Sequence, residues 1–414
     1  MSTRLQYVFS MAFLVALFVG YFFNIKFNAL GFGTFYPAIF LIIIIGIFGG
    51  VVDGGLRSKL LVSMSPLCLA IVFSIISFLV NSPDSDYFFV GAIFLMAAVG
   101  LSSFGFFAIF PRRSGQILII SVIAALSLNA ILMISMFVFP KIQLGYLNLL
   151  SESGFEVFGG IDSALDSMYR FRMIGFSGFA AYASGFMQSI GLFFLAVYYR
   201  IAEKKIDLRF LFISVLLIIS ALLSARSSLI GISLWIVFCL VFFGIRFFVF
   251  ISLISIFIFA SLFFLIALMD EDGAKFFVDW LLEFFLGEYE SKSLSENISM
   301  LDTPFLDAGF YGFSRWFGEF GYDYFRAADV GFIRLILAGG FGSLSLILLH
   351  YFLMGLLLIK ENGSNFFRIL YVFLMLYFSI VMFKGAILFD FFAFDFLMLM
   401  LCWVSQNRGN VSSK

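Results

Sequence analysis

The sequence predicts an all-α polytopic membrane protein with about twelve transmembrane helices and two extracytoplasmic loops. Three observations predict that class. Of 414 residues, 63% are hydrophobic and only 12% are charged, where a soluble domain carries about 25% charge. Apolar runs of bilayer-crossing length, about 20 residues, recur along the whole chain. Lysine and arginine gather in alternate segments between those runs, as the positive-inside bias requires.

Twelve runs qualify, at roughly 5–23, 35–52, 60–80, 87–110, 116–139, 176–199, 208–224, 227–244, 247–268, 332–359, 366–383 and 385–404. The first is followed by YFFNIKF, with no small-residue cleavage site, and reads as a retained anchor. With the N-terminus cytoplasmic, the inner segments hold fourteen basic and four acidic residues, while the outer NSPDSD (81–86) has no basic residue. Both termini then lie inside. The chain divides into five spans within 1–139, a first outer loop 140–175, and four spans within 176–268. A large outer loop 269–331, three spans within 332–404 and a tail 405–414 follow. The large loop carries thirteen acids and four basic residues. Its stretch AKFFVDWLLEFFLGE (274–288) is too short and too charged to span, and suits a helix lying on the outer membrane surface.

Composition argues against several chemistries. Cys68, Cys239 and Cys402 all sit in apolar runs and suggest neither a disulfide nor a metal site. A single histidine, His350, disfavours a histidine metal centre. The acid groups Asp270–Asp272 and Asp84–Asp86 resemble divalent-ion pairs but are ordinary in solvated loops. Zero net charge does not suggest a nucleic-acid binder. No metal and no cofactor is expected. The 64 phenylalanines read as lipid-facing filler.

Arginines in or beside apolar runs carry the functional signal. Arg226, in ISALLSARSSLIGISLW, falls in a tight outer turn between the seventh and eighth runs. It is either a snorkelling cap or an anion receptor on a platform of small residues, because guanidinium grips phosphate in a bidentate fork. In RAADVGFIRLILAGGFGSL (326–344), Arg326 and Asp329 are spaced to share a helix face. Arg334 enters the apolar run about one turn deep, and Gly339, Gly340 and Gly342 would allow close helix contact. Arg170 and Arg172 precede the sixth run. Together these outward arginines suit a polyanion held at the outer surface. Asp390 and Asp395 lie in the last run, where each could neutralise a buried arginine or serve as a proton or ion site. His350 reads as structural.

The segments SARSSLIG (224–231) and ADVGFIRLILAGGFGSL (328–344), with the basic pair before GFSG (175–178), resemble the Wzy-type polymerases of bacterial O-antigen and capsule repeat units, relatives of the O-antigen ligases. The resemblance implies a metal-free fold of the membrane glycosyltransferase (GT-C-like) type in the bacterial inner membrane, with its active site on the periplasmic side. It implies block transfer of a glycan from undecaprenyl diphosphate onto a lipid-linked acceptor, with a chain-length regulator as a further partner. The roles expected are diphosphate stabilisation by Arg226 and Arg334, assisted by Arg170 or Arg172, and a general base at Asp329 or Glu319. Arg315 and Arg326 are further substrate-binding candidates, and Trp316, Tyr311, Tyr322 and Tyr324 could stack on sugars or pack the loop. The ligase pattern has a histidine in the large loop, and this loop has none. A flippase for the same lipid-linked units is the rival from another class, favoured by Asp390 and Asp395.

Overall fold

In the computed structural model the described residues are 3–49, 54–110, 114–150, 173–177, 181–267, 305–318, 325–327, 330–359, 365–385 and 393–407, with Lys275 and Val278. They form thirteen α-helices: α1 (Thr3–Phe23), α2 (Phe35–Phe48), α3 (Gly54–Val80), α4 (Phe88–Ala108), α5 (Ser114–Val138), α6 (Pro140–Leu147), α7 (Ala181–Ile201), α8 (Leu208–Ser224), α9 (Ser228–Phe243), α10 (Ile245–Ala267), α11 (Gly331–Leu358), α12 (Phe366–Met382) and α13 (Ala393–Asn407). No strand occurs among the described residues, where isolated bridges pair Lys26 with Gly33 and Phe27 with Leu150. The segments Gly54–Val80, Phe88–Ala108, Gly115–Val138, Phe247–Phe264 and Gly331–Leu358 are long and apolar enough to cross a membrane, and six shorter apolar helices accompany them. The protein is all-helical and membrane-embedded in character. Of the stretch 274–288, only Lys275 and Val278 are described, both helical.

The chain falls into two compact units. The first comprises residues 1–38 and 113–289. Here α5, α7 and α8 pack on one another, α1 packs on α5, α9 on α7, and α10 on α8. The buried face of α5 runs Leu118, Val122, Leu126, Asn129, Met133, a three-to-four residue spacing that matches the helical repeat. The loop after α1 returns to the stretch after α6, where Asn28 N–H donates to the Leu149 carbonyl at 3.0 Å. Asp207 caps α8 by accepting from the backbone N–H groups of Arg209 (3.1 Å) and Phe210 (3.0 Å), and it also accepts from the Tyr199 hydroxyl.

The second unit comprises residues 39–112 and 290–414. Its centre is α3 against α11, with α4 on α3 and α13 on α4. The α2 and α4 backbones cross closely: a Cβ on Gly105 would lie 2.0 Å from the Gly46 carbonyl oxygen. Phe104, Phe106 and Phe107 are fully buried and pack on Phe396 and Trp403 of α13. These phenylalanines are core residues, not lipid-facing filler.

Helix α11 is broken at Gly340, whose φ of 70° and ψ of 177° suit glycine alone. An unbroken helix would bond Phe341 to Leu337 and Gly342 to Ala338. Instead the N–H groups of Phe341 and Gly342 donate to the carbonyls of Gly309 (3.1 Å) and Phe310 (3.0 Å). The freed carbonyls of Leu337 and Ala338 accept from Phe313 (2.7 Å) and Ser314 (2.9 Å). Ala308, Val330, Ile333, Ile336 and Leu337 form a buried apolar cluster beside this exchange, with Phe305, Phe313 and Phe325 packed on it. The glycines read as a helix-contact surface thus admit a loop backbone. A Cβ on Gly340 would lie 2.2 Å from the Phe310 carbonyl oxygen, although Gly339 does abut a helix, at the Phe89 ring of α4.

Gly340→Ala should destabilise the protein by about 2–3 kcal/mol, from backbone strain and the Phe310 clash. Gly91→Ala, whose added Cβ meets nothing within 4 Å, is the control, and thermal unfolding in detergent reads the difference. Asp207→Ala should cost about 1 kcal/mol at neutral pH. Desolvation pushes the Asp207 pKa up, but the Tyr199 hydroxyl, the two N–H donors and the Arg209 charge outweigh it, so the pKa is lowered. A lowered folded pKa means the contribution is complete above the ordinary carboxylate range. It disappears as pH falls through the folded value, so parent and variant should converge in unfolding experiments run into acid.

Candidate functional site

Arg226 belongs to the first unit. Helix α8 stops because Ala225 is extended, at φ −156° and ψ 138°, and α9 restarts at Ser228. The turn is tight, as the sequence predicts, and Arg226 is half-buried in it. The small residues around it serve packing with α7. A Cβ on Gly185 would lie 2.4 Å from the Ser228 Oγ and 3.0 Å from the Ala225 Cβ. A second segment is hooked to the same helix end: Met173 N–H donates to the Leu223 carbonyl at 3.0 Å. Beyond it the buried Asn129 of α5 accepts from Phe176 N–H at 2.7 Å, and the Tyr146 hydroxyl donates to the Phe176 carbonyl at 2.8 Å. Burial raises the Tyr146 pKa, which keeps that hydroxyl a donor. Arg170 and Arg172 lie outside the described residues, but the residue following Arg172 in the chain is fastened three positions before Arg226.

Arg334 belongs to the second unit and is 3% exposed, on the first segment of α11. Its guanidinium carbon lies 4.1 Å from the centre of the Trp316 ring. Trp316 is also 3% exposed and packs against Phe88 (5.1 Å) and Phe89 (6.4 Å between ring centres). Of the two readings for Trp316, loop packing agrees with this burial, since the ring has no open face for a sugar. Tyr311 is more open, 43% exposed, beside Phe73 and Phe310. Arg315 lies over the Phe325 ring at 5.2 Å, and Arg326 over Phe313 at 4.6 Å. Arg326 has a left-handed backbone, φ 55°, in a short turn at Phe325–Ala327, and α11 begins only at Gly331. Arg326 therefore precedes α11, and Asp329, with which it was expected to share a helix face, lies outside the described residues. Asp329, Glu319, Tyr322, Tyr324, Asp390 and the Asp270–Asp272 group lie outside the described residues.

Two features escape sequence reading. The first is Asp86. Its Oδ1 accepts from Phe88 N–H (3.1 Å), and its Oδ2 accepts from the N–H groups of Trp316 (2.5 Å) and Phe317 (3.1 Å). Asp86 N–H donates to the Ser314 carbonyl at 2.8 Å. This acid, which resembled half of an ion-binding pair, spends its oxygens on backbone donors. The second is a buried pair. His350 Nε2 lies 2.9 Å from Asp395 Oδ1, and His350 Nδ1 lies 2.8 Å from the Ser63 carbonyl oxygen. A carbonyl only accepts, so Nδ1 carries a hydrogen and a single proton is shared between Nε2 and the carboxyl. Asp395 therefore meets a histidine and not a buried arginine. The spacing of 45 residues hides the pair from any local pattern.

His350→Ala should cost about 3–5 kcal/mol by stranding a buried carboxyl. The double variant His350→Leu with Asp395→Leu should recover most of that loss in the same unfolding measurement. In comparison with known proteins, no family model and no curated protein matches the chain.

Proposed function

We propose that the chain is a Wzy-type polymerase of bacterial lipid-linked polysaccharide repeat units. It transfers a glycan as a block from undecaprenyl diphosphate onto a lipid-linked acceptor and releases undecaprenyl diphosphate. On this reading twelve helices cross the bacterial inner membrane, both termini are cytoplasmic, the fold is of the GT-C-like type, and the chemistry is periplasmic and metal-free. The single observation that carries the reading is Arg334, a permanent cation kept in a buried position on an apolar helix and held over Trp316. Burying such a charge costs several kcal/mol, so its retention points to use.

The chemistry assigns the residues. Departure of a diphosphate builds negative charge, and pre-placed guanidinium groups stabilise it without reorganising. Arg226 and Arg334 take that role, with Arg170, Arg172, Arg315 and Arg326 on the glycan or phosphate oxygens. The acceptor hydroxyl needs a base, for which Asp329 comes first and Glu319 second. A chain-length regulator is the expected partner. A flippase for the same lipid-linked units is the second reading. The buried His350–Asp395 pair favours it, because intramembrane ionisable groups often mark proton relays. An O-antigen ligase is the nearest enzyme alternative.

Arg226→Ala and Arg334→Gln should each remove long polymer and leave single repeat units attached to lipid A, seen on gels of lipopolysaccharide from a complemented deletion strain. Unchanged long chains would end the polymerase assignment. Loss of every repeat unit from lipid A would move the assignment to a flippase or a ligase.

A further inference from the structure

The segment 305–318 is fastened along two edges. One is the backbone exchange at the α11 break. The other is the loop between α3 and α4, where Asn81 Nδ2 donates to the Gly312 carbonyl (3.1 Å) and Asp86 grips the chain at Ser314, Trp316 and Phe317. The Asp86 carboxylate takes three backbone N–H donors, using both oxygens. An asparagine could not replace it, because its amide nitrogen would face donors in place of an acceptor. Phe88, whose N–H is one of those donors, packs on both Trp316 and Phe317. Asp86 thus fixes the backbone beneath the Trp316 ring and the ring packed beside it. Trp316 in turn lies against the Arg334 guanidinium.

We propose that Asp86 is a positioning residue for the Arg334 cation: acting through Trp316, it sets the place of the guanidinium and so the grip on an organic diphosphate. This rests on the reading of Arg334 as a diphosphate receptor. A guanidinium on an aromatic face is restrained in plane and in depth. If the Asp86 contacts are lost, the indole keeps its packing on Phe88 and Phe89 but loses the backbone anchor at Trp316 and Phe317. Its depth is then less sharply set, and the cation meets phosphate oxygens in a wider spread of positions.

The test uses the full chain in lipid nanodiscs, with farnesyl diphosphate as the probe and its Kd as the readout. Arg334→Gln should weaken binding about tenfold or more. Asp86→Asn and Trp316→Leu should weaken it several-fold, and Trp316→Phe, which keeps an aromatic face, should retain most of the affinity. Asp86→Asn placed on Arg334→Gln should add nothing further, because a residue that acts only through Arg334 has no effect once Arg334 is gone. Should Asp86→Asn fail to fold, as judged by size-exclusion chromatography, the contrast between Trp316→Leu and Trp316→Phe decides. The inference is overturned, with the receptor reading intact, if Arg334→Gln weakens binding but Asp86→Asn does not. It is equally overturned if the two losses multiply, or if Trp316→Phe binds as poorly as Trp316→Leu. An unchanged Kd in Arg334→Gln removes the receptor reading itself and this inference with it.

Discussion

Two hydrogen bonds missing from α11 organise the second unit. In apolar surroundings an unpaired N–H or C=O costs roughly 2 kcal/mol or more. A helix broken there needs partners for every group it releases. The break at Gly340 releases two donors and two acceptors, and the stretch Gly309–Ser314 meets all four. Hydrogen bonds tolerate only a few tenths of an ångström and a limited range of angles, so the exchange fixes the register of that stretch against α11. The chain leaves it with Trp316 two residues further on, and the ring reaches Arg334, about one and two-thirds turns before the break.

Buried serines bond to carbonyls one turn back in their own helices, whereas several larger polar groups pair across long sequence separations. His350 meets Asp395 and Ser63, Asn129 meets Phe176, and Asp86 meets Trp316 and Phe317. The reason is physical. Dispersion packing between apolar helices in lipid is nearly non-directional, and many registers are similar in energy. A directional bond with a buried partner discriminates among them. Arg334 is held differently, with its cation against an indole; Arg226 sits half-buried in a turn. The two arginines therefore differ in setting. One is nearly fully buried and the other is half-buried.

That difference bears on the chemistry proposed. A cation that stabilises a leaving diphosphate is most effective when its position is fixed before the charge develops. A cation that captures a lipid-borne anion needs access. The burial of Arg334 against Trp316 suits the first requirement, and the partial exposure of Arg226 suits the second.

Sequence alone determined the helical, membrane-embedded character. Each of the twelve apolar runs overlaps a described helix, five of them long and apolar enough to cross a membrane, because apolar run length and the helical rise are directly linked. The turn at Arg226 was legible too, since an arginine and small residues interrupt two apolar stretches. The Gly339–Gly340 pair marked a special place in α11, but not what entered it. Tertiary structure alone decided that a loop backbone replaces the missing helical bonds, that Trp316 lies under Arg334, that Asp86 binds backbone, and that His350 and Asp395 are partners. In each case the partner stands tens to hundreds of residues away. A linear pattern records the spacing that a helix or a membrane imposes, whereas the pairing of distant polar groups is set by three-dimensional packing that leaves no period behind.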